Sequence, residues 1–214
     1  LQTDKDHCGT CGFTCPHGDT CVDGACQYTT LEKIQVANST AQLGTHIAVD
    51  SQGNLILIVG YSQTWTLTTP QRNAIISAKG QEDIALVKLD GSGGLIWAKS
   101  ISGTGDDAAN GLHVDAQDNI YVLQTNAGGN ITVGTTNYNN THKQILTKFN
   151  SLGNAVWSKA ATATTISTHN GLHVDEAGNS YWAGYASGTY TIAGKSVTAA
   201  SGAHETFVAK LDPT

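Results

Sequence analysis

The chain has 214 residues, with 11 Lys and Arg against 17 Asp and Glu and a formal charge of −6, a balance that argues against nucleic acid or an anionic membrane surface as partner. Only 13% of residues are charged, and Gly, Thr, Ser, Asn and Ala separate short apolar runs, a composition of all-β surface proteins rather than of disordered chains. No apolar run reaches the roughly 20 residues of a membrane helix, and Leu1 follows no basic or apolar leader, so any secretion signal is expected to have been removed or never included.

Residues 1–27 form the first predicted unit. All five cysteines, Cys8, Cys11, Cys15, Cys21 and Cys26, fall within it, in a segment too short for a core of its own, so a covalent framework is expected to hold it. A zinc site is the competing reading of Cys8-x2-Cys11 with His7 and His17, but zinc motifs usually repeat a second close pair after a longer spacer. Five is an odd number, which leaves one thiol free, paired with another chain, or separated from its partner. The string DKDHCGTCGFTCPHGDTCVDGAC resembles the short cysteine-rich module near the N-termini of secreted and lipid-anchored proteins of myxobacteria and related bacteria. That module usually carries a sixth cysteine just before the position of Leu1, so the resemblance implies a chain that begins inside the module. It implies location more than activity.

Residues 28–214 are expected to form repeats, with units at about 44–104, 105–164 and 165–214. IAVDSQGN at 47–54 recurs as LHVDAQDN at 112–119 and LHVDEAGN at 172–179. LVKLDGSGGLIWAKS at 86–100 recurs as LTKFNSLGNAVWSKA at 146–160 and VAKLDPT at 208–214. Between them stand WTL at 65–67, ITV at 131–133 and YTI at 190–192. Three phrases recurring in one order mark a repeat architecture. NLILIVGY, IALVKL and LIWAKS read as buried or half-buried strands bounded by Gly, Asp and Asn. The D-x-x-G-N and K-[LF]-[DN]-x-x-G-[GN] phrases read as hairpin turns, with an Asp or Asn bonding backbone N–H groups and Gly left-handed; Asp118 replaces that Gly in the second unit and tolerates a positive φ. Each unit then supplies about four antiparallel strands and a small extra hairpin, a β-propeller blade.

The phrases VD-x-x-GN-x-Y-x-x-G and K-[LF]-[DN]-x-x-G-x-x-x-W resemble the bacterial seven-bladed β-propeller repeat proteins over residues 31–214, most strongly in the second and third units. The expected fold is therefore all-β: about three four-stranded blades behind a small disulfide-rich module. The third unit stops before a counterpart of the Trp97 and Trp157 strands, while LEKIQV at 31–36, with Leu31, Ile34 and Val36, reads as a spare closing or donated strand that would pair with residues 206–210. Three blades are fewer than the usual closed ring of about four or more. The chain is expected to be part of a longer propeller, to close a ring with a second copy, or to add head to tail into a filament.

The repeated polar residues are the candidates for chemistry. His113 and His173 occupy equivalent positions, with Ala48 in the first unit; packing or a satisfied hydrogen bond is preferred to metal binding because no third ligand recurs. Asp50, Asp115 and Asp175 supply only one carboxylate per loop, so turn capping is preferred to calcium. Trp97 and Trp157, with Lys99 and Lys159 two positions on, read as sheet packing before sugar stacking. Asp106 and Asp107 have no repeated partner acid or base that would define general acid–base catalysis, and no hydrolase, phosphate-loop or zinc-protease motif occurs. Asn38, Asn130 and Asn139 stand in N-x-[ST] sequons. The expectation is a non-enzymatic extracellular or cell-surface scaffold, without cofactor or metal, that binds a glycan or surface protein through blade loops, or else a self-assembling structural filament or oligomer joined by strand exchange.

Overall fold

The computed structural model describes residues 3–4, 7–9, 20–27, 36–37, 43–69, 72–166, 171–200, 203 and 205–213. Its elements are strands only, and no helix forms among the described residues. In the cysteine-rich head β1 (Thr20–Val22) and β2 (Ala25–Gln27) make a hairpin across Asp23 and Gly24, both at positive φ, as an Asp-Gly turn of this length requires. Cys8 and Cys21 are disulfide-bonded and buried together. Cys26 lies opposite Cys21 in the hairpin, and Cys11 and Cys15 lie outside the described residues.

After β3 (Val36–Ala37), the first unit runs β4 (Leu43–Val49), β5 (Leu55–Tyr61), the hairpin β6 (Trp65–Thr68) and β7 (Asn73–Ile76), then β8 (Asp83–Leu89) and β9 (Leu95–Gly103). The second repeats it as β10 (Asp107–Val114), β11 (Ile120–Asn126), β12 (Ile131–Val133), β13 (Thr136–Tyr138), β14 (His142–Phe149) and β15 (Ala155–Ile166). The third has β16 (Gly171–Val174), the long β17 (Ser180–Ile192), β18 (Lys195–Thr198) and β19 (Glu205–Leu211). In the first two units the main strands form antiparallel meanders, β4-β5-β8-β9 and β10-β11-β14-β15; in the third the order is β16-β17-β19. These are the expected propeller blades. The innermost strand β10 touches β4 on one side and β16 on the other, which sets the blades around a common centre.

The extra hairpin does more than lengthen the unit. It straps its own blade to the preceding one: Thr132 of β12 pairs with Ser102 of β9, and Thr191 of β17 pairs with Thr162 of β15. Ala37 of β3 pairs with Thr66 of β6 in the same register, so β3 stands where the fourth strand of a preceding blade would stand. Within the chain Val36 pairs with Leu67 of the first unit, and residues 206–210 pair with β17; the expected pairing of Val36 with residues 206–210 is not made among the described residues of this one chain. Leu31 and Ile34 lie outside the described residues.

Period-2 alternation puts one face of each strand into each of two neighbouring cores. Ile56, Ile58, Ile84 and Leu86 meet Ile120, Val122, Ile145 and Phe149 between the first and second blades. Tyr121, Leu123 and Leu146 meet Trp182, Phe207 and Leu211 between the second and third. Strands β8 and β11 are consequently buried along their whole length. Tyr61, Trp65, Leu67 and Val87 close the remaining face of the first blade under its own hairpin.

Candidate functional site

The recurrent carboxylates serve turns. Asp50 Oδ1 accepts the backbone N–H groups of Gln52 and Asn54, both at 2.9 Å. Asp115 Oδ1 does the same for Gln117 at 3.0 Å and Asn119 at 2.8 Å, and Asp175 Oδ1 for Ala177 at 3.0 Å and Asn179 at 2.8 Å. Gly53, Asp118 and Gly178 take the left-handed conformation in these turns. Asp90 and Asn150 cap the second repeated turn by the same two-amide bond.

The other carboxylate oxygen distinguishes the units. In the second and third, the hydroxyls of Tyr121 and Tyr181 donate to Asp115 and Asp175 at 3.2 and 3.0 Å, and Lys148 and Lys210 lie over the tyrosine rings. The first unit has Ile56 at the tyrosine position, and Lys88 instead reaches Asp50 at 2.7 Å in a buried ion pair. Burial pushes the Asp50 carboxyl up, but the Lys88 ammonium, the Asn54 side chain and the Asn54 and Gln52 amides bring it down to about 2. The Asp175 carboxyl also lies below its ordinary range, chiefly through the Asn179 side chain.

Trp97 and Trp157 join blades. The Trp97 indole N–H donates to the Ser151 carbonyl at 3.1 Å, and that of Trp157 to the equivalent Pro213 carbonyl at 3.2 Å, so each fourth strand is fastened to the next unit's turn. Asp118 accepts from both the backbone N–H and the hydroxyl of Ser51 at 2.8 Å, linking the first two blades at their turns.

His113 and His173 come together at the inner strands, with ring centroids 5.5 Å apart and edge to face. Adjacent inner strands place these rings in contact, as the packing reading expects. Each also lies near the tyrosine of its own unit, Tyr121 or Tyr181. Burial holds His113 below its ordinary value, His173 adds to the effect, and Asp115 opposes it. No third His, Cys, Asp or Glu completes a metal-binding group among the described residues.

Asp107 meets an acid that repeat arithmetic did not supply. Asp83 and Asp107 are both sealed from solvent at the seam between the first and second blades, at 0% and 1% exposure. Asp83 accepts three backbone N–H bonds, from Lys79, Gly80 and Gly103. Burial pushes Asp107 up to about 8, with the Asp83 charge adding to it. Neither residue lines either of the two interblade clefts.

Two open clefts lie between the blades, the first lined mainly by polar residues and the second mainly by apolar ones. A cleft of 620 Å3 is bounded by β9, the β12–β13 hairpin and the turn into β15. A second, of 420 Å3, lies between Lys159, the hairpin of the third unit and β19. Lys99 and Lys159, equivalent in the repeat, line one cleft each. Asn130 and Asn139 are exposed on the hairpin; Asn139 Oδ1 accepts from Thr141 and meets the His142 ring, and Asn38 lies outside the described residues. Asp83 and Lys79 carry no repeat signal in the sequence, since neither recurs in the other units. Comparison with protein-family models and with curated proteins returns no match.

Proposed function

We propose that this chain is a non-enzymatic extracellular or cell-surface scaffold, a secreted bacterial propeller-repeat protein that recognises its partners through the surfaces between blades. The observation carrying this reading is that the recurrent carboxylates and indoles are already engaged within the fold. The carboxylates of Asp50, Asp115 and Asp175 hold turns, and the indoles of Trp97 and Trp157 hold adjacent blades. The acid with the most displaced titration, Asp107, is enclosed. What stays open is grooved surface, and grooves on a rigid repeat suit recognition. A Cys8–Cys21 disulfide supports an oxidising compartment. Cell fractionation and a glycan and surface-protein binding screen test the reading. It fails if the protein resides in a reducing compartment, or if it turns over a substrate.

Self-assembly is the second reading, favoured by one internal comparison. Val208 of β19 is 70% exposed, whereas its repeat equivalents Leu86 and Leu146 are fully buried by the following blade. Ile47 and Val49 are bare on the first unit's inner strand. A second copy would cover both faces with a blade-to-blade contact of the kind already made twice within the chain. Analytical ultracentrifugation of the wild type and Val208→Lys tests this: concentration-dependent association lost in the variant supports it, and a wild type that stays monomeric at high concentration removes it.

A further inference from the structure

The two interblade clefts differ in charge from the molecule that carries them. The chain is net negative, at −6, yet Lys79 and Lys99 line the first cleft without an acidic residue in its walls. The second has Lys159, Lys195 and Lys210 against Asp212 alone. Lys79 and Lys99 make no side-chain hydrogen bond or ion pair among the described residues, the one ion pair there being Lys88–Asp50. A concave wall of one sign concentrates a counter-charged solute even on a molecule of the opposite sign.

The remaining lining of the first cleft is rich in hydroxyls, two of them held in fixed positions, whereas that of the second is mainly apolar, with Ile192, Val197, Phe207 and Val208. Ser100 Oγ shares a hydrogen bond with Tyr61 Oη at 2.7 Å, and Ser158 Oγ shares one with Tyr138 Oη at 2.5 Å. A hydroxyl has one donor and two acceptor sites, so each keeps capacity for a ligand while its oxygen is held in place. Trp157 adds a half-buried aromatic wall whose indole is anchored to Pro213.

From this combination we infer that the interblade clefts bind an acidic, carboxylate-bearing oligosaccharide of the uronate type, its carboxylates at Lys99 and Lys159, its hydroxyls on the serine and threonine wall of the first cleft and the apolar faces of its sugar rings against the second. Two or three point charges per cleft suit isolated carboxylates. A polyphosphate backbone would need a continuous basic stripe, which a net-acidic surface does not offer. The clefts fall within the usual small-ligand range of about 300–1,000 Å3. Because Lys99 recurs as Lys159 one unit on, a chain of sugars reaching both clefts would gain from multivalency.

The inference rests on the scaffold reading and can fail separately from it. Calorimetry of the full chain with oligogalacturonate, with the neutral cello-oligosaccharide of equal length, and with sulfated dextran as the other anionic source provides the test. Binding of oligogalacturonate that weakens with salt and drops about tenfold in Lys99→Gln, the loss of one charged hydrogen bond, supports the inference, and a larger drop in Lys99→Gln/Lys159→Gln supports two clefts. Equal binding of the neutral and acidic sugars, preference for the sulfated polymer, no binding of oligogalacturonate, or lysine variants that bind as the wild type overturns it. Capture of a neutral glycan or protein by the lysine variants would leave the scaffold reading standing, whereas cleavage of the bound oligosaccharide would sink that reading and spare the cleft.

Discussion

The Lys88 ammonium lies 2.7 Å from the Asp50 carboxylate, both side chains nearly sealed from solvent, at the point where the next two units use a tyrosine hydroxyl. One turn has two chemical solutions, and residue 56 selects between them. Isoleucine at 56 cannot donate, so the lysine leaves the position it takes over an aromatic ring in the other units and pairs directly.

Removing Lys88 should therefore be severe. Lys88→Met leaves Asp50 buried without its countercharge, which costs about 3–5 kcal/mol for pairs of this kind. The folded Asp50 pKa, about 2, lies below its unfolded value of about 3.9, so the pair's contribution is present above about pH 4 and is lost as pH falls towards 2. Urea unfolding should show a wild-type advantage at pH 7 that narrows in acid. An equal gap at both pH values would refute the account. The double variant Ile56→Tyr/Lys88→Met should recover part of the loss by importing the solution of the other units.

Asp107 gives the opposite pH dependence. Its folded pKa of about 8 stands above the unfolded value of about 3.9, so its contribution is complete below about pH 4 and declines as pH rises towards 8. Asp107→Asn keeps the shape, removes the titration and can donate an amide hydrogen towards Asp83. The variant should melt higher than the wild type at pH 8, by about 2–4 °C for each kcal/mol recovered, with the difference closing in acid. Asp83→Asn should destabilise instead, because an amide nitrogen would meet backbone N–H groups from Lys79, Gly80 or Gly103. Thermal melts from pH 4 to 9 separate the two.

Recurrence explains what could be read from the chain and what could not. The turns were legible because Asp50, Asp115 and Asp175 recur with their Asn partners, and the blades because β5, β8 and β11 carry unbroken apolar runs. The hairpin was visible as a phrase, but its pairing with the preceding blade was not, since strand partners distant in sequence leave no mark in a local pattern. That hidden pairing is why Val36 lies against Leu67. Asp83 escaped for a different reason: Lys143 and Glu205 stand at its equivalents, so the contact with Asp107 belongs to one seam alone.

The tryptophans should report on the seams individually. Trp97→Phe and Trp157→Phe each delete one indole donor to a carbonyl of the next unit, costing about 1 kcal/mol for the hydrogen bond beyond any lost packing. Amide exchange should quicken around residues 151–154 in the first variant and around residues 211–212 in the second. Exchange that rises uniformly in both would show that the indoles act through global stability rather than as local fasteners.

Gly105 tests the seam most sharply, because its constraint is one of space. A Cβ there would overlap the Gly128 carbonyl in the loop leading to β12, while the Gly105 carbonyl itself lies where a Cβ on Gly80 would go. Three glycines are thus stacked backbone to backbone between the first blade and the second unit's hairpin. In this arrangement neither carbonyl can yield as the end of a flexible side chain would. Gly53 offers a control, with a positive φ of 79° but open space around its missing Cβ. Gly53→Ala should cost about 1–2 kcal/mol, the penalty of a left-handed alanine. Gly105→Ala should cost more than about 4 kcal/mol, within the range reserved for disrupted packing, and should loosen the β9–β12 pairing before the rest of the fold. Chemical denaturation ranks the two, and limited proteolysis locates the opening; a Gly105→Ala protein as stable as Gly53→Ala would mean that the glycine stack relaxes freely and that the hairpin strap does not depend on it.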